Sequence, residues 1–281
     1  MESPRMIISQ DLSGVGQVSM GVALPIVAAL NIEPCTLPTA ILSTHTAFAE
    51  NTFTDLSASM APTLAHWQQL QLNPAGVYLG YLGARALPVW RTWLPTLSTA
   101  RVRLVDPVMG DGGRLYRGFT DAYVTEMRAL VRDATVMTPN VTEAALLLGQ
   151  TPTQAPLTTT QLRQMVRELV ATFHVDVVIT GTPLADGTLG TAGMTRTDTA
   201  VFVLQQPHRP GTYYGTGDIF ASVLVSGLLL GQSLRKTSKI ALTFIDQAIQ
   251  RTLSSGADSR YGVQYAPGLP ALIAQLGLKE K

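Results

Sequence analysis

Two periodicities alternate along the chain. Short β-branched, apolar runs at 6–9, 76–79, 102–105, 134–137 and 175–179 read as buried strands. Segments at 20–30, 55–71, 84–97, 120–131, 141–148, 158–172, 216–230 and 234–253 read as helices. The clearest begins at Thr158, where Thr158 and Gln161 make a capping-box pattern and Leu162, Met165, Val166 and Leu169 recur on one face. Pro25 falls near the first turns of the 20–30 helix, and prolines interrupt 84–97. Residues 187–204 carry short Thr-rich alternating runs around Gly and Asp, which predicts a small meander. Beyond Gly256 the pattern is weak.

Strand and helix alternating at this spacing predict an α/β fold, with a mostly parallel sheet covered by helices on both faces. A divisor of about 150 residues per domain would cut 281 residues in two. The alternation, however, runs on without a repeat or a convincing linker. Residues 151–156 come nearest to one and suit a surface loop, so a single domain over 1–281 is expected.

Composition narrows the function. The apolar share is 46%, but charged residues make up only 14%, against about 25% in a typical chain. Net charge is +1 with no long run of one sign, which gives no electrostatic footprint for nucleic acid or an anionic membrane. The lysines are Lys236, Lys239, Lys279 and Lys281; none lies near a Gly-rich loop as the GxxxxGK[ST] phosphate motif requires. Cys35 is the lone cysteine, so an intramolecular disulfide and a Cys-based metal centre are excluded. His45, His66, His174 and His208 show no metal-ligand spacing. The first residues lack an apolar signal core, and the apolar stretches 21–32 and 219–230 are short and broken by Pro or Gly. A soluble cytoplasmic protein is expected.

Candidate chemistry sits where predicted strands end. Gly215-Thr216-Gly217-Asp218 leads straight into an apolar helix. Glycines at a helix start allow close backbone approach, and the free N–H groups with the helix dipole suit a phosphate. An Asp beside such a site repels the anion but is well placed as a general base toward a hydroxyl; an Asp chosen only to favour the helix N-terminus is the structural alternative. Asp106 ends a strand, and Pro107 through Gly113 form a Gly-rich loop that also carries Asp111. Two carboxylates there suit a hydrated cation, or a turn selected for its geometry. Thr138, Pro139, Asn140 and Glu143 follow a third strand, and Thr180 with Gly181 a fourth. After the first strand, Asp11 and Ser13 make a hydroxyl-binding turn the economical reading; the GxG at Gly14 and Gly16 lacks the remaining dinucleotide signature.

Taken in order, DPVMGD (106–111), TPNVTEA (138–144) and GTGD (215–218) resemble the vitamin B6 kinases of the ribokinase-like superfamily. The likeness is greatest to the pyridoxal/pyridoxamine kinases of low-GC Gram-positive bacteria. It runs from about residue 6 to 253 and includes IxxDLSGxG, PTAxLSTHT and YLGA. The resemblance implies a three-layer α/β/α sandwich without a lid domain, usually a homodimer, that uses ATP to phosphorylate the 5′-hydroxymethyl group of pyridoxal, pyridoxamine or pyridoxine. It implies Asp218 as base, with Gly215, Thr216 and Gly217 as anion hole. Asp106 and Glu143 would organise Mg²⁺, partly through water, and the resemblance leaves open whether a monovalent cation is also used. Asp111, Tyr116, Thr138, Asn140, Thr180 and Gly181 would line the nucleotide, together with Thr216. Gln10, Asp11, His45, Thr46 and Tyr81 would surround the substrate ring.

Gln10 and Tyr214 depart from residues common in relatives and bear on which vitamer is preferred. Lone Cys35 gives no basis for covalent capture of an aldehyde. Hydroxymethylpyrimidine kinase shares the fold and the base and stands as the alternative. From another class comes a vitamer- or nucleotide-binding protein without catalysis. A PLP enzyme would need Lys236 or Lys239, both away from the motifs.

Overall fold

The first strand, β1 (Arg5–Ser9), is buried from Met6 onward, as a parallel strand covered on both faces must be. In the computed structural model, which describes residues 3–276, it is followed by β2 (Leu12–Ser13), α1 (Ser19–Ala29), β3 (Glu33–Thr36), β4 (Ala40–Leu42), β5 (Phe53–Asp55) and α2 (Ser57–Gln69). Next come β6 (Gly76–Leu79), α3 (Gly83–Trp93), β7 (Val102–Val105), β8 (Gly110–Asp111), β9 (Arg114–Leu115), α4 (Asp121–Leu130), β10 (Val136–Met137), α5 (Val141–Leu148) and α6 (Thr159–Phe173). The chain closes with β11 (Asp176–Pro183), β12 (Thr188–Met194), β13 (Phe202–Pro207), α7 (Thr216–Leu229), α8 (Leu234–Ser255) and α9 (Leu269–Gln275). Lys279 and Lys281 lie outside the described residues.

These elements make two compact units. The first is drawn from Met1–Leu82, Leu97–Val102 and Gly211–Lys281. In it β1 pairs in parallel with β3 on one side and β6 on the other, and β2, β4 and β5 form a small separate sheet. Helix α7 is buried almost all round its circumference, packed against α1, α8 and β6, which explains why its sequence is nearly continuously apolar. The second unit is drawn from Gly83–Thr96 and Arg103–Pro210. There β10 pairs in parallel with β7 and β11, and the meander predicted over 187–204 is realised as antiparallel β12 and β13, which extend to Pro207 and join the sheet through antiparallel pairing of β12 with β11. Helices α5 and α6 pack on one another and on β11. The result is the mixed, mostly parallel, helix-flanked α/β fold that the alternation predicted.

Several local expectations are met. β6, β7 and α5 have the predicted limits. The capping box of α6 is formed, Thr158 Oγ1 accepting from the Gln161 N–H at 3.2 Å and Gln161 Oε1 from the Thr158 N–H at 2.8 Å.

Others are corrected. Pro25 lies inside α1 rather than near its first turns. The strand expected to end at Ile179 continues to Pro183 through an irregularity between Ile179 and Thr182, where Gly181 adopts φ +58°. β3 was not legible: its sequence is Glu-Pro-Cys-Thr, and Pro34 is tolerated because β3 pairs with β1 on one side only. The weakly patterned tail is anchored by buried Val263, Tyr265, Leu272 and Leu276. No helix among the described residues is long and apolar enough to cross a membrane.

Candidate active site

In the first unit, the residue before α7 must turn sharply, and Gly215 does so at φ +78°. A Cβ there would stand 2.0 Å from the Gln17 carbonyl oxygen, so this position admits glycine alone. At Gly217 a Cβ would meet nothing within 4 Å, leaving open space in front of the first turn. The N–H groups of Thr216, Gly217 and Asp218 have no acceptor among the described residues, as the start of a helix dictates. Thr216 Oγ1 donates to the Tyr213 carbonyl at 3.1 Å, which fixes the turn. An anion placed there meets several aligned donors and the positive end of the α7 dipole.

Asp218 is part-buried and accepts one hydrogen bond, from the Ser19 N–H to Oδ2 at 2.8 Å. Burial pushes its carboxyl up to about 7, the Asp11 charge adds to the rise, and the Ser19 N–H opposes it. Asp11 follows β1, is itself buried, and accepts from Ser13 Oγ at 3.2 Å. Burial raises its pKa also, while the Ser19 and Ser13 side chains and His45 favour the charged form.

The residues that the resemblance assigns to the substrate lie in the same unit. Gln10 is fully buried, and neither Nε2 nor Oε1 has a partner among the described residues. It lies against Gly80, where a Cβ would come within 2.1 Å of Oε1. Thr39 joins the Gln10 and Tyr81 backbones, its N–H donating to Gln10 O at 3.0 Å and its hydroxyl to Tyr81 O at 2.9 Å. His45 donates from Nε2 to the Arg260 carbonyl at 2.5 Å and stacks at a tilt on Tyr214, centroids 4.9 Å apart. Thr46 is exposed. Ser19, Gln17, Thr39, Arg260 and Tyr261 were not singled out by sequence. Arg260 and Tyr261 reach the site from the tail, where Tyr261 O accepts from the Gln17 N–H at 2.8 Å, and no periodicity marks them.

The second unit gathers the other group. Asp106 leaves the end of β7, and Glu143 lies in the first turn of α5. Glu143 is 3% exposed and binds the 106–113 loop to the helix start: Oε1 accepts from Met109 N–H at 3.0 Å and Oε2 from Asn140 N–H at 2.9 Å. Burial pushes its carboxyl up to about 8 against these donors and that of Gly110, with Asp111 adding to the rise. Asn140 caps α5 and donates to Gly110 O at 2.8 Å. Thr180, inside β11 rather than at its end, pairs with Asn140, its N–H donating to Pro139 O at 3.0 Å, so these two candidates are brought together. Thr138 is buried, and its hydroxyl lacks a partner among the described residues. Asp111, beside left-handed Gly112 and Gly113, and Tyr116 are exposed.

Magnesium takes few carboxylates and keeps most of its oxygens from water and phosphate. Half-buried Asp106 and exposed Asp111 suit that mode. Both Glu143 oxygens are engaged by backbone N–H groups, so Glu143 fits as a brace that holds the 106–113 loop against the start of α5. Among the described residues, no three His, Cys, Asp or Glu side chains form a ready-made metal centre.

The raised Asp218 pKa carries a stability consequence. Its folded value lies above the ordinary 3.8, so the native state binds more protons between about pH 4 and 7, and stability falls as pH rises through that window. Taken whole the shift amounts to about 4 kcal/mol. Solvent contact reduces the expected effect to about 1–2 kcal/mol. Asp218→Asn should therefore raise Tm at pH 8 by about 3–6 °C and leave it unchanged at pH 4. Thermal melts at the two pH values test this, and an equal shift at both would refute the linkage.

Comparison with known proteins identifies the family. The phosphomethylpyrimidine kinase family model matches residues 27–262. A pyridoxal kinase from Lactobacillus plantarum is 33% identical, with a TM-score of 0.89 over 99% of both chains. A chain from Bacteroides thetaiotaomicron, provisionally assigned as a phosphomethylpyrimidine kinase and crystallised with pyridoxal, is 33% identical with a TM-score of 0.90, covering 99% of this chain and 97% of that one. The pyridoxine/pyridoxal/pyridoxamine kinase of Bordetella bronchiseptica is 29% identical over 264 residues, covering 86% of this chain and 87% of its own. With its motifs, fold and near full-length matches in agreement, the chain belongs to the phosphomethylpyrimidine kinase family, among the ribokinase-like kinases.

Proposed function

We propose that this kinase transfers the γ-phosphoryl group of ATP to the 5′-hydroxymethyl group of a B6 vitamer. Asp218 carries the reading: a carboxylate with one oxygen engaged by Ser19 and a pKa near 7 can accept a proton from a primary hydroxyl, directly beside a helix start with unpaired N–H groups. The hydroxyl oxygen bonds to the γ-phosphorus, the bond to the ADP oxygen breaks, and the hydroxyl proton passes to Asp218. Gly215, Thr216 and Gly217 supply the turn and backbone N–H groups that hold transferring phosphoryl oxygens.

Asp106, with Glu143 fixing the loop behind it, would hold Mg²⁺, and Asp111, Tyr116, Thr138, Asn140, Thr180 and Gly181 would contact the nucleotide. Bound Mg²⁺ would offset phosphate charge. No lysine precedes position 236 in the sequence, which supports phosphate being held by backbone N–H groups, metal and arginine.

Gln10, Asp11, His45, Thr46 and Tyr81 would surround the ring. An unpaired buried amide costs about 1–3 kcal/mol, so a polar ring substituent that satisfied Gln10 would gain specificity there. The same reading expects a cytoplasmic homodimer, and pyridoxal in the Bacteroides homologue supports the choice of vitamer.

The name of the matched family favours a second reading, a hydroxymethylpyrimidine as acceptor. ADP release from Mg-ATP should be measured with pyridoxal, pyridoxamine, pyridoxine and hydroxymethylpyrimidine. A B6 vitamer should give kcat/KM at least about tenfold above the pyrimidine. The reverse order would support the second reading, and vitamer binding without ADP release would establish a non-catalytic binder.

A further inference from the structure

Ser19 is the first residue of α1 and has φ +47°, in the left-handed region that costs a non-glycine residue about 1–2 kcal/mol. Val18 before it is extended, and no side chain caps the helix. An N–H at a helix start normally goes to water or a cap. Here it crosses 199 residues of sequence to Asp218 Oδ2 at 2.8 Å. The Ser19 side chain favours the charged form of Asp11, and the next N–H, that of Met20, donates to the Asp11 carbonyl at 3.2 Å. The start of α1 therefore reaches both residues through its backbone, the Ser19 N–H to the Asp218 carboxylate and the Met20 N–H to the Asp11 carbonyl. The angle φ is rotation about the N–Cα bond, so it sets how N–H and side chain are presented relative to one another.

A carboxylate turns about a broad, roughly two-fold terminal torsion. A donor fixed on Oδ2 removes that freedom. Oδ1 takes no hydrogen bond from the described residues and is the oxygen left to receive a proton.

We propose that Ser19 is a positioning residue for the base: its left-handed backbone pins Asp218 Oδ2 and leaves Oδ1 facing the substrate hydroxyl. The inference rests on Asp218 acting as base. The strain is retained because the right-handed alternative would turn the N–H away from Asp218.

Three substitutions separate the backbone contribution from the side chain. Ser19→Gly and Ser19→Ala both delete the hydroxyl and keep the N–H, but only glycine adopts the left-handed conformation freely. Asparagine tolerates that conformation and retains a polar side chain. We expect Ser19→Gly to turn over about three- to tenfold faster than Ser19→Ala, at equal KM for ATP, and Ser19→Asn to stay within about threefold of the parent.

Equal kcat for the Gly and Ala variants would overturn the proposal, even if their Tm values differ, since a merely structural role moves Tm alone. A rise in KM without a fall in kcat would overturn it too. Asp218→Asn is run beside them: turnover near the parental rate there would refute the base assignment itself, whereas an inactive Asp218→Asn with equal Gly and Ala variants would refute only the role of Ser19.

Discussion

Asp218→Asn is expected to lower kcat by about 10²–10⁴-fold, while KM for ATP stays within about twofold. The substitution is nearly isosteric, and the amide oxygen can still accept from the Ser19 N–H, so the α1–α7 junction should survive. What is lost is the capacity to take a proton. Because the Asp218 carboxyl sits near 7, the parent should lose turnover about tenfold per pH unit well below that value. The residual rate of the Asn variant should lack this limb. The charged groups that bear on Asp218 are Asp11 and, through Asp11, His45. Steady-state ADP release from pH 5.5 to 9 supplies the check, and near-parental turnover with an unchanged pH profile would remove Asp218 from the mechanism.

Gly215→Ala is expected to reduce kcat by about 10²–10³-fold and to destabilise the fold by about 2–4 kcal/mol. Two effects combine. Alanine at φ +78° is strained, and its Cβ would lie 2.0 Å from the Gln17 carbonyl oxygen. That obstacle is backbone, so no side chain can rotate aside. Either the α7 start or the 14–18 segment must shift, and donors aimed at a developing charge lose most of their effect once displaced. Gly217→Ala gives the stability control: a Cβ there meets nothing within 4 Å, and the position is helical, so Tm should hold or rise slightly. Thermal melts together with single-turnover rates test both parts. A Gly215→Ala protein with parental Tm and kcat would contradict the close approach to Gln17.

Much of the fold was legible because its elements carry local signals. α6 declares itself through a capping box and a one-sided apolar face, and α7 through glycines followed by an unbroken apolar run. β6 and β7 are short, buried and β-branched or aromatic, as strands covered on both faces must be. β3 and β4 were not legible, since each is short and takes hydrogen bonds from a partner nearly thirty residues away, and β5 was not legible because its three residues are all exposed. β11 was cut short because Thr-Gly reads as a strand end when the bulge it forms depends on β12.

The sequence by itself determined the alternation of strand and helix, the strand-end placement of Asp11, Asp106 and Thr138, and the chemistry available at Gly215–Asp218. These follow from spacing, burial and conformational freedom encoded within a few residues of each position. Tertiary structure alone decided what each group touches. It gave the Ser19 N–H to Asp218, committed both Glu143 oxygens to backbone donors, buried Gln10 without a partner and brought Arg260 and Tyr261 from the tail to His45 and Gln17. The physical reason is that pKa and hydrogen-bond satisfaction depend on neighbours in space and on desolvation, and neither is set by adjacency along the chain.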